Sequence, residues 1–290
     1  MTSMSAGADA HESGTFELGG DLPVHRLGYG TMQLTGEGVW GDPPDPEEAV
    51  RVLRRAVALG VTFMDTADAY GPFTAELLMR KALHPYPPDL VIATKAGFAR
   101  PAPGEWVAVG RPAYLRQQVE LSLRHLGVER IDLLQLHRVD PEVPIADQVG
   151  ELAAMQQEGK IRHIGLSEVS TAQIEEASRT ATVVSVQNRY NLADRASEDV
   201  LAHAERNGMG FIPWYPLATG GLARKGGPLD RIAEEHGAQP SQLALAWLLR
   251  RSPVMLPIPG TSKVAHLEHN IAAAGIRLTD QQYEELTAAV

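Results

Sequence analysis

TFMDTADAYGPFTAELLMRKAL, residues 62–83, contains the unit by which the rest of the chain is read. A short apolar run, TFMDTAD, gives way to a loop marked by Gly71 and Pro72. TAELLMRKAL follows, with its apolar residues at helical spacing. The same order recurs on both sides. Upstream, RLGYGT at 26–31 precedes DPEEAVRVLRRAVALG at 45–60, where Val50, Leu53 and Val57 form a stripe. Asp45-Pro46 there is a helix start signal and Gly60 a stop. Downstream, LVIATK (90–95), IDLLQLH (131–137), IRHIGLS (161–167) and VVSVQNRY (183–190) each lead into a helical pattern. GFIPWYP at 210–216 precedes two helical stretches, and VMLPIPG at 254–260 is followed by two more.

Eight apolar strands, each followed by a helix, predict an α/β protein whose parallel sheet is covered by helices. A doubly wound open sheet gives the same alternation, but eight repeats with no composition break favour closure. The expected fold is a single (β/α)8 TIM barrel with an N-terminal β-hairpin, from FELGGDLPVHRL, and extra C-terminal helices. Residues 1–14 are small and polar and are expected to be a disordered tail, leaving 15–290 as the barrel domain.

Composition narrows the function classes. The chain has 290 residues, 44% of them hydrophobic and 21% charged, enough apolar material for a large core. It has no cysteine, so disulfides, thiolate metal sites and cysteine nucleophiles are excluded. A net charge of −10 argues against nucleic acid or acidic membranes as partners. The N-terminus lacks the basic start and apolar core of a signal peptide, and no apolar run is long enough to span a bilayer. A cytoplasmic protein acting on a small molecule is expected; the oligomeric state is not readable.

Active sites of such barrels form at the carboxyl ends of the strands. The second strand ends in Asp65, with Tyr70 in the loop after it; the third ends in Lys95 and the fourth in His137. Consecutive strands are neighbours, so these four groups converge at the barrel mouth. Each has an ordinary structural reading: a turn cap, a packed loop aromatic, a satisfied core histidine. Lys95 resists it. The chain has five lysines, and this one ends an apolar strand, where a buried cation needs a partner such as Asp65. The set suits proton donation to a carbonyl oxygen: Lys95 is expected to lower the Tyr70 pKa, Asp65 to hold the lysine, and neutral His137 to orient the carbonyl. With no nucleophile and no metal-ligand cluster, the attacking species would come from a cofactor, with hydride the obvious one. Trp40, Phe73, Phe98 and Trp106, in the loops of the first three units, are expected to wall a substrate pocket, with Arg138 touching a polar substituent.

At these residues the sequence resembles the aldo-keto reductase superfamily. FMDTADAYG at 63–71, VIATKAG at 91–97 and IDLLQLH at 131–137 match the segments carrying that family's catalytic Asp, Tyr, Lys and His, in order and at strand ends. The resemblance implies Tyr70 as general acid, tuned by Lys95 and Asp65, with His137 orienting the substrate. It also implies NADPH bound across the barrel mouth without a Rossmann glycine loop. Gly30, Thr31 and Met32 would then line the nicotinamide ribose, with Asp65 close by. Ser167 and Gln187 would bind the carboxamide, and Trp214 would stack on the ring. Tyr215, Pro216 and Leu217 would lead to the pyrophosphate. Gly260, Ser262, Lys263, His266 and Asn270 would hold the adenosine end, with Ser262 and Lys263 on a 2′-phosphate at a helix start. This makes NADPH the expected cofactor ahead of NADH, with no metal. The sequence departs from the family pattern at Glu168, where an Asn is common, and at His269, where a Glu is common; both bear on cofactor affinity. Within the family the sequence is similar to the branch of bacterial pyridoxal reductases, which implies pyridoxal reduced to pyridoxine. Two alternatives stand beside it: a regulatory NADPH-binding redox sensor, and a barrel lyase or aldolase using Lys95 as an amine.

Overall fold

The computed structural model describes residues 8–217 and 228–289. Its centre is a parallel sheet of seven strands in chain order: β3 (Tyr29–Gly30), β4 (Phe63–Asp65), β5 (Val91–Ala96), β8 (Ile131–Leu136), β9 (Ile161–Ser167), β10 (Val183–Gln187) and β11 (Gly210–Phe211). The segment 254–260 closes the ring between the two edges. Phe211 N donates to Val254 O and Leu256 N to Phe211 O, both at 2.8 Å, while Gly28 N donates to Pro257 O at 2.9 Å. The seam is tight enough to require glycine. A Cβ on Gly30 would lie 2.8 Å from Ile258 O, and one on Gly260 2.8 Å from Gly30 O.

Most residues of the seven strands are buried because both faces of the sheet are covered; Asp132, Arg162 and His163, near the amino ends of β8 and β9, are partly exposed. Met64, Ile92 and Leu134 point outward into a core shared with the helices, whereas Phe63, Val91, Ala93 and Leu133 fill the barrel with Val184, Ile212, Leu256 and Ile258. The period of two therefore sends 63 and 65, then 91, 93 and 95, then 133, 135 and 137 inward. Apolar residues fill the lower layers and the polar ones come last, at the carboxyl end.

The hairpin β1 (Thr15–Leu18) and β2 (Leu22–His25) is antiparallel, and its Leu18, Leu22 and Val24 pack into the lower barrel layer as a plug. Ten helices are found among the described residues: α1 (Pro46–Ala58), α2 (Thr74–Leu83), α3 (Pro112–Leu126), α4 (Ile145–Gln157), α5 (Thr171–Ser178), α6 (Glu198–Asn207), α7 (Pro228–Glu235), α8 (Pro240–Arg251), α9 (Val264–Ala272) and α10 (Asp280–Ala288). Asp45 caps α1 by accepting from Glu48 N at 2.9 Å. A small antiparallel pair, β6 (Phe98–Ala99) with β7 (Val107–Ala108), stiffens the third loop.

Two boundaries differ from the sequence reading. The disordered tail expected over 1–14 does not extend over its last residues: Ala10–Ser13 form a 3-10 turn with Ala10 and Ser13 buried, tied by Ala10 N to Leu59 O at 2.8 Å. Residues 1–7 lie outside the described residues. The seventh strand is also shorter than GFIPWYP suggests, and VMLPIPG keeps only an isolated bridge from Met255 to Phe211 in place of the expected eighth strand, because prolines 213, 216, 257 and 259 have no N–H for a ladder. No helix among the described residues is long and apolar enough to cross a membrane.

Candidate active site

β4, β5 and β8 bring three polar ends together. Lys95 is fully buried, and its Nζ donates to Asp65 Oδ1 at 2.5 Å, Thr66 O at 2.9 Å and Tyr70 Oη at 3.1 Å. Three acceptors match the three protons of an ammonium. Asp65 Oδ2 accepts two amides, from Gln187 Nε2 at 2.8 Å and Gln135 Nε2 at 3.0 Å. The carboxylate thus faces a cation on one oxygen and two neutral donors on the other. Burial works against the Lys95 charge, but Asp65 and Tyr70 outweigh it and leave the ammonium above its ordinary pKa.

Tyr70 corrects the sequence reading in one respect. Burial pushes its hydroxyl above the ordinary tyrosine value; Lys95 pulls the other way without overcoming it. The phenol is therefore held protonated, and the lysine's effect is to favour the phenolate that a transfer would leave behind. His137 is buried and pushed well below its usual pKa, by desolvation first and then by Lys95, Arg138 and Arg100. It is a neutral imidazole at pH 7, and its Nδ1 has no partner among the described residues. Tyr70, Phe98 and Trp106 surround it edge-on, with centroids at 5.9, 4.7 and 6.2 Å.

These groups open on a cavity of about 720 Å³, large enough for a cofactor head and a small substrate. Of the residues expected at the site, Asp65, Tyr70, His137, Gly30, Met32, Ser167, Gln187, Trp214, Tyr215, Pro216, Leu217, Gly260, Phe98, Trp106 and Arg138 line it. Ser167 accepts Arg138 Nη1 at 3.2 Å, and Gln187 is engaged by Asp65. Thr31 lies just behind the lining, its hydroxyl buried without a partner among the described residues.

Phe73 and Trp40 are not in this wall. Phe73 takes a left-handed backbone, φ 63°, and packs on His125 of α3 with ring centroids 4.4 Å apart. It faces a separate groove of about 250 Å³. Trp40 gives its place to Val39, itself at φ 56°, and stands behind Arg100, whose guanidinium is 5.6 Å from its ring and 3.6 Å from that of Trp106. Arg100 donates to Gly38 O, Val39 O, Ala69 O and Glu105 O at 2.7–3.0 Å, tying the first three loops into one rim.

Of the adenosine-end residues, Gly260 lines the cavity, while Ser262 and Lys263 precede α9 and His266 and Asn270 lie along it. Ser262 is half-buried, Lys263 and His266 are exposed, and Asn270 is buried. Here the structure adds a residue the sequence reading missed. Glu48 of α1 accepts Val264 N at 3.2 Å, placing a carboxylate at the helix N-terminus. Gln135 was missed as well. Its signal was a lone amide inside IDLLQL, in register opposite Lys95.

Comparison with known proteins identifies the family and agrees with the fold. The profile of the Aldo/keto reductase family matches residues 26–290. An uncharacterized oxidoreductase of Schizosaccharomyces pombe is 52% identical over 285 residues, covering 98% of this chain and 92% of that protein. The pyridoxine 4-dehydrogenase of Escherichia coli is 43% identical over 275 residues, covering 93% and 96%. Among solved structures, an aldo-keto reductase from Klebsiella pneumoniae in complex with NADPH superposes with a TM-score of 0.81. It is 28% identical, covering 94% of this chain and 93% of that one.

Proposed function

Because this chain belongs to the aldo/keto reductase family, we propose that it reduces an aldehyde or ketone to an alcohol with NADPH, and that pyridoxal is its carbonyl substrate. The observation that carries the reaction class is the hydroxyl of Tyr70. It is protonated, 3.1 Å from a buried ammonium, and lines a cavity beside a neutral histidine.

The residues present fit the cofactor. The Trp214 indole offers a flat face to the cavity and the strand ends of Gly30 and Ser167 offer backbone, with the orphaned Thr31 hydroxyl next to Gly30 just behind the lining. When bound, the nicotinamide supplies hydride to the carbonyl carbon. Neutral His137 donates a hydrogen bond that orients the carbonyl oxygen. Tyr70 gives its proton to that oxygen as negative charge develops there, and Lys95 stabilises the phenolate that remains. Asp65, held by Gln135 and Gln187, keeps Lys95 charged and aimed.

Support for pyridoxal comes from the Escherichia coli relative and from the pocket. Phe98 and Trp106 suit a flat ring, and Arg138 stands beside His137 to meet a polar or anionic ring substituent. For the cofactor, Lys263 and Ser262 favour NADPH, while Glu48 opposes a 2′-phosphate. The Schiff-base alternative is disfavoured because Lys95 Nζ is a fully hydrogen-bonded ammonium and offers no free amine.

The test is NADPH oxidation against a panel of carbonyls that includes pyridoxal, with Tyr70→Phe as control. Pyridoxal should be turned over, and the variant should retain NADPH binding while losing at least about a hundredfold in kcat. Turnover by the variant at the parental rate would remove Tyr70 from the mechanism. NADPH binding by the parent with no carbonyl reduced would favour the sensor reading.

A further inference from the structure

Glu168, at the carboxyl end of β9, stands in the left-handed backbone region with φ 54°, a conformation that side chains with a Cβ rarely adopt. Its surroundings hold it there. Its backbone N–H donates to Gln187 O at 2.9 Å. The next residue is bracketed by Asn188, which accepts Val169 N at 3.1 Å and donates to Val169 O at 2.9 Å. The strained turn aims the side chain along the rim toward the residues that follow the next two strands, β10 and β11. There a single oxygen, Oε1, accepts two N–H groups: the Trp214 indole at 2.5 Å and the Arg189 backbone at 2.6 Å.

Trp214 is a wall of the large cavity. Its backbone N–H donates to Asn188 O at 3.2 Å, so ring and backbone are fixed by the same short loop. Two cations lie near. Arg189 is 5.9 Å from the indole and shares its charge with Asp194 at 3.0 Å; Arg138 feels the Glu168 charge directly.

One carboxylate oxygen thus ties the indole to the Arg189 backbone. The two redox forms of a nicotinamide cofactor differ at the ring by one charge: the oxidised ring is cationic, the reduced ring neutral. An aromatic face attracts a cation, and an anionic acceptor on its N–H adds electron density to that face. We propose that Glu168 is a positioning residue that fixes the Trp214 indole against the nicotinamide, and whose charge makes that wall favour the oxidised ring over the reduced one. The inference rests on the reading that a nicotinamide lies against Trp214. The two arginines are common to parent and variants, so their opposing effect cancels in the comparison.

The experiment is calorimetric titration of the full-length parent with NADP+ and, separately, NADPH, repeated with Glu168→Gln, Glu168→Ala and Trp214→Leu. Glu168→Gln keeps an acceptor oxygen for the indole and removes only the charge. It should weaken NADP+ by about three- to tenfold and leave NADPH within about twofold. Glu168→Ala removes the anchor too and should weaken both forms. Equal effects of Glu168→Gln on the two forms, or no effect on either, would overturn the charge preference. Parental affinities in Glu168→Ala would overturn the anchoring role. Failure of the underlying reading looks different. Trp214→Leu would then bind both forms like the parent, or the parent itself would bind neither.

Discussion

Lys95→Met should be among the most destabilising single changes available to this protein, and most of its cost should be removable by a second change. The methionine fills the space of the lysine stem but leaves Asp65 Oδ1 without its cation in a site only 1% exposed. Leaving one partner of a buried pair uncompensated costs about 3–5 kcal/mol. Asp65 keeps its two amide donors on Oδ2, which places the expected loss toward the lower end. At roughly 2–4 °C per kcal/mol for a chain of this size, the melting temperature should fall on the order of 10 °C. In Lys95→Met with Asp65→Asn the orphaned charge is gone, while an Asn oxygen can still accept the Gln135 and Gln187 amides. That double variant should recover at least half of the loss, yet stay as inactive as the single one. Thermal unfolding by circular dichroism, with NADPH oxidation measured alongside, reads both effects. A single variant melting within about 2 °C of the parent, or a double variant less stable than the single, would refute the reasoning.

Three further outcomes follow from the same geometry. Glu76 is buried behind the site; burial raises its pKa to about 7, opposed by the hydrogen bond it accepts from Thr94 and by the nearby Ser122 hydroxyl. The unfolded chain ionises it near 4.5, so stability falls as pH rises from there to about 7, by about 3 kcal/mol in all. Glu76→Gln, which can still accept from Thr94, should therefore raise the melting temperature more at pH 8 than at pH 5.5; equal gains would contradict the burial argument. Phe98→Ala should raise KM for an aromatic carbonyl roughly tenfold, whereas Phe73→Ala should lower stability and leave KM near the parental value, as steady-state kinetics will show. Lys263→Ala should weaken NADPH about tenfold and Glu48→Gln should tighten it, with NADH unmoved by either; a matching shift in NADH binding would place both residues away from the phosphate.

The barrel was legible because its strands repeat a simple rule. Phe63 and Asp65, Val91 to Lys95, and Leu133 to His137 alternate inward, so polar residues at the last inward positions meet at one end. Lys95 could be assigned to a buried pair on composition and place alone. The loop aromatics could not be sorted that way. Phe73 and Trp40 look no different in sequence from Phe98 and Trp106, and what separates them is the left-handed backbone at Val39 and Phe73 and the long-range grip of Arg100. The tyrosine's pKa was misjudged for a related reason. A neighbouring cation can be read from strand order, but the desolvation that outweighs it depends on how completely the surrounding loops close. Glu48 reached α9 from an element more than 200 residues away, and no local pattern announces such a meeting.

The Arg100 staple has a consequence for the rate at which ligands are captured. Loops that wander independently must be ordered at the moment of encounter, and this slows productive docking. Here one guanidinium gathers three of them by their carbonyls while resting on Trp106, so those three loops are already held together when a molecule arrives. The entropy of ordering these three loops is lost once, during folding, and is not lost again with each turnover.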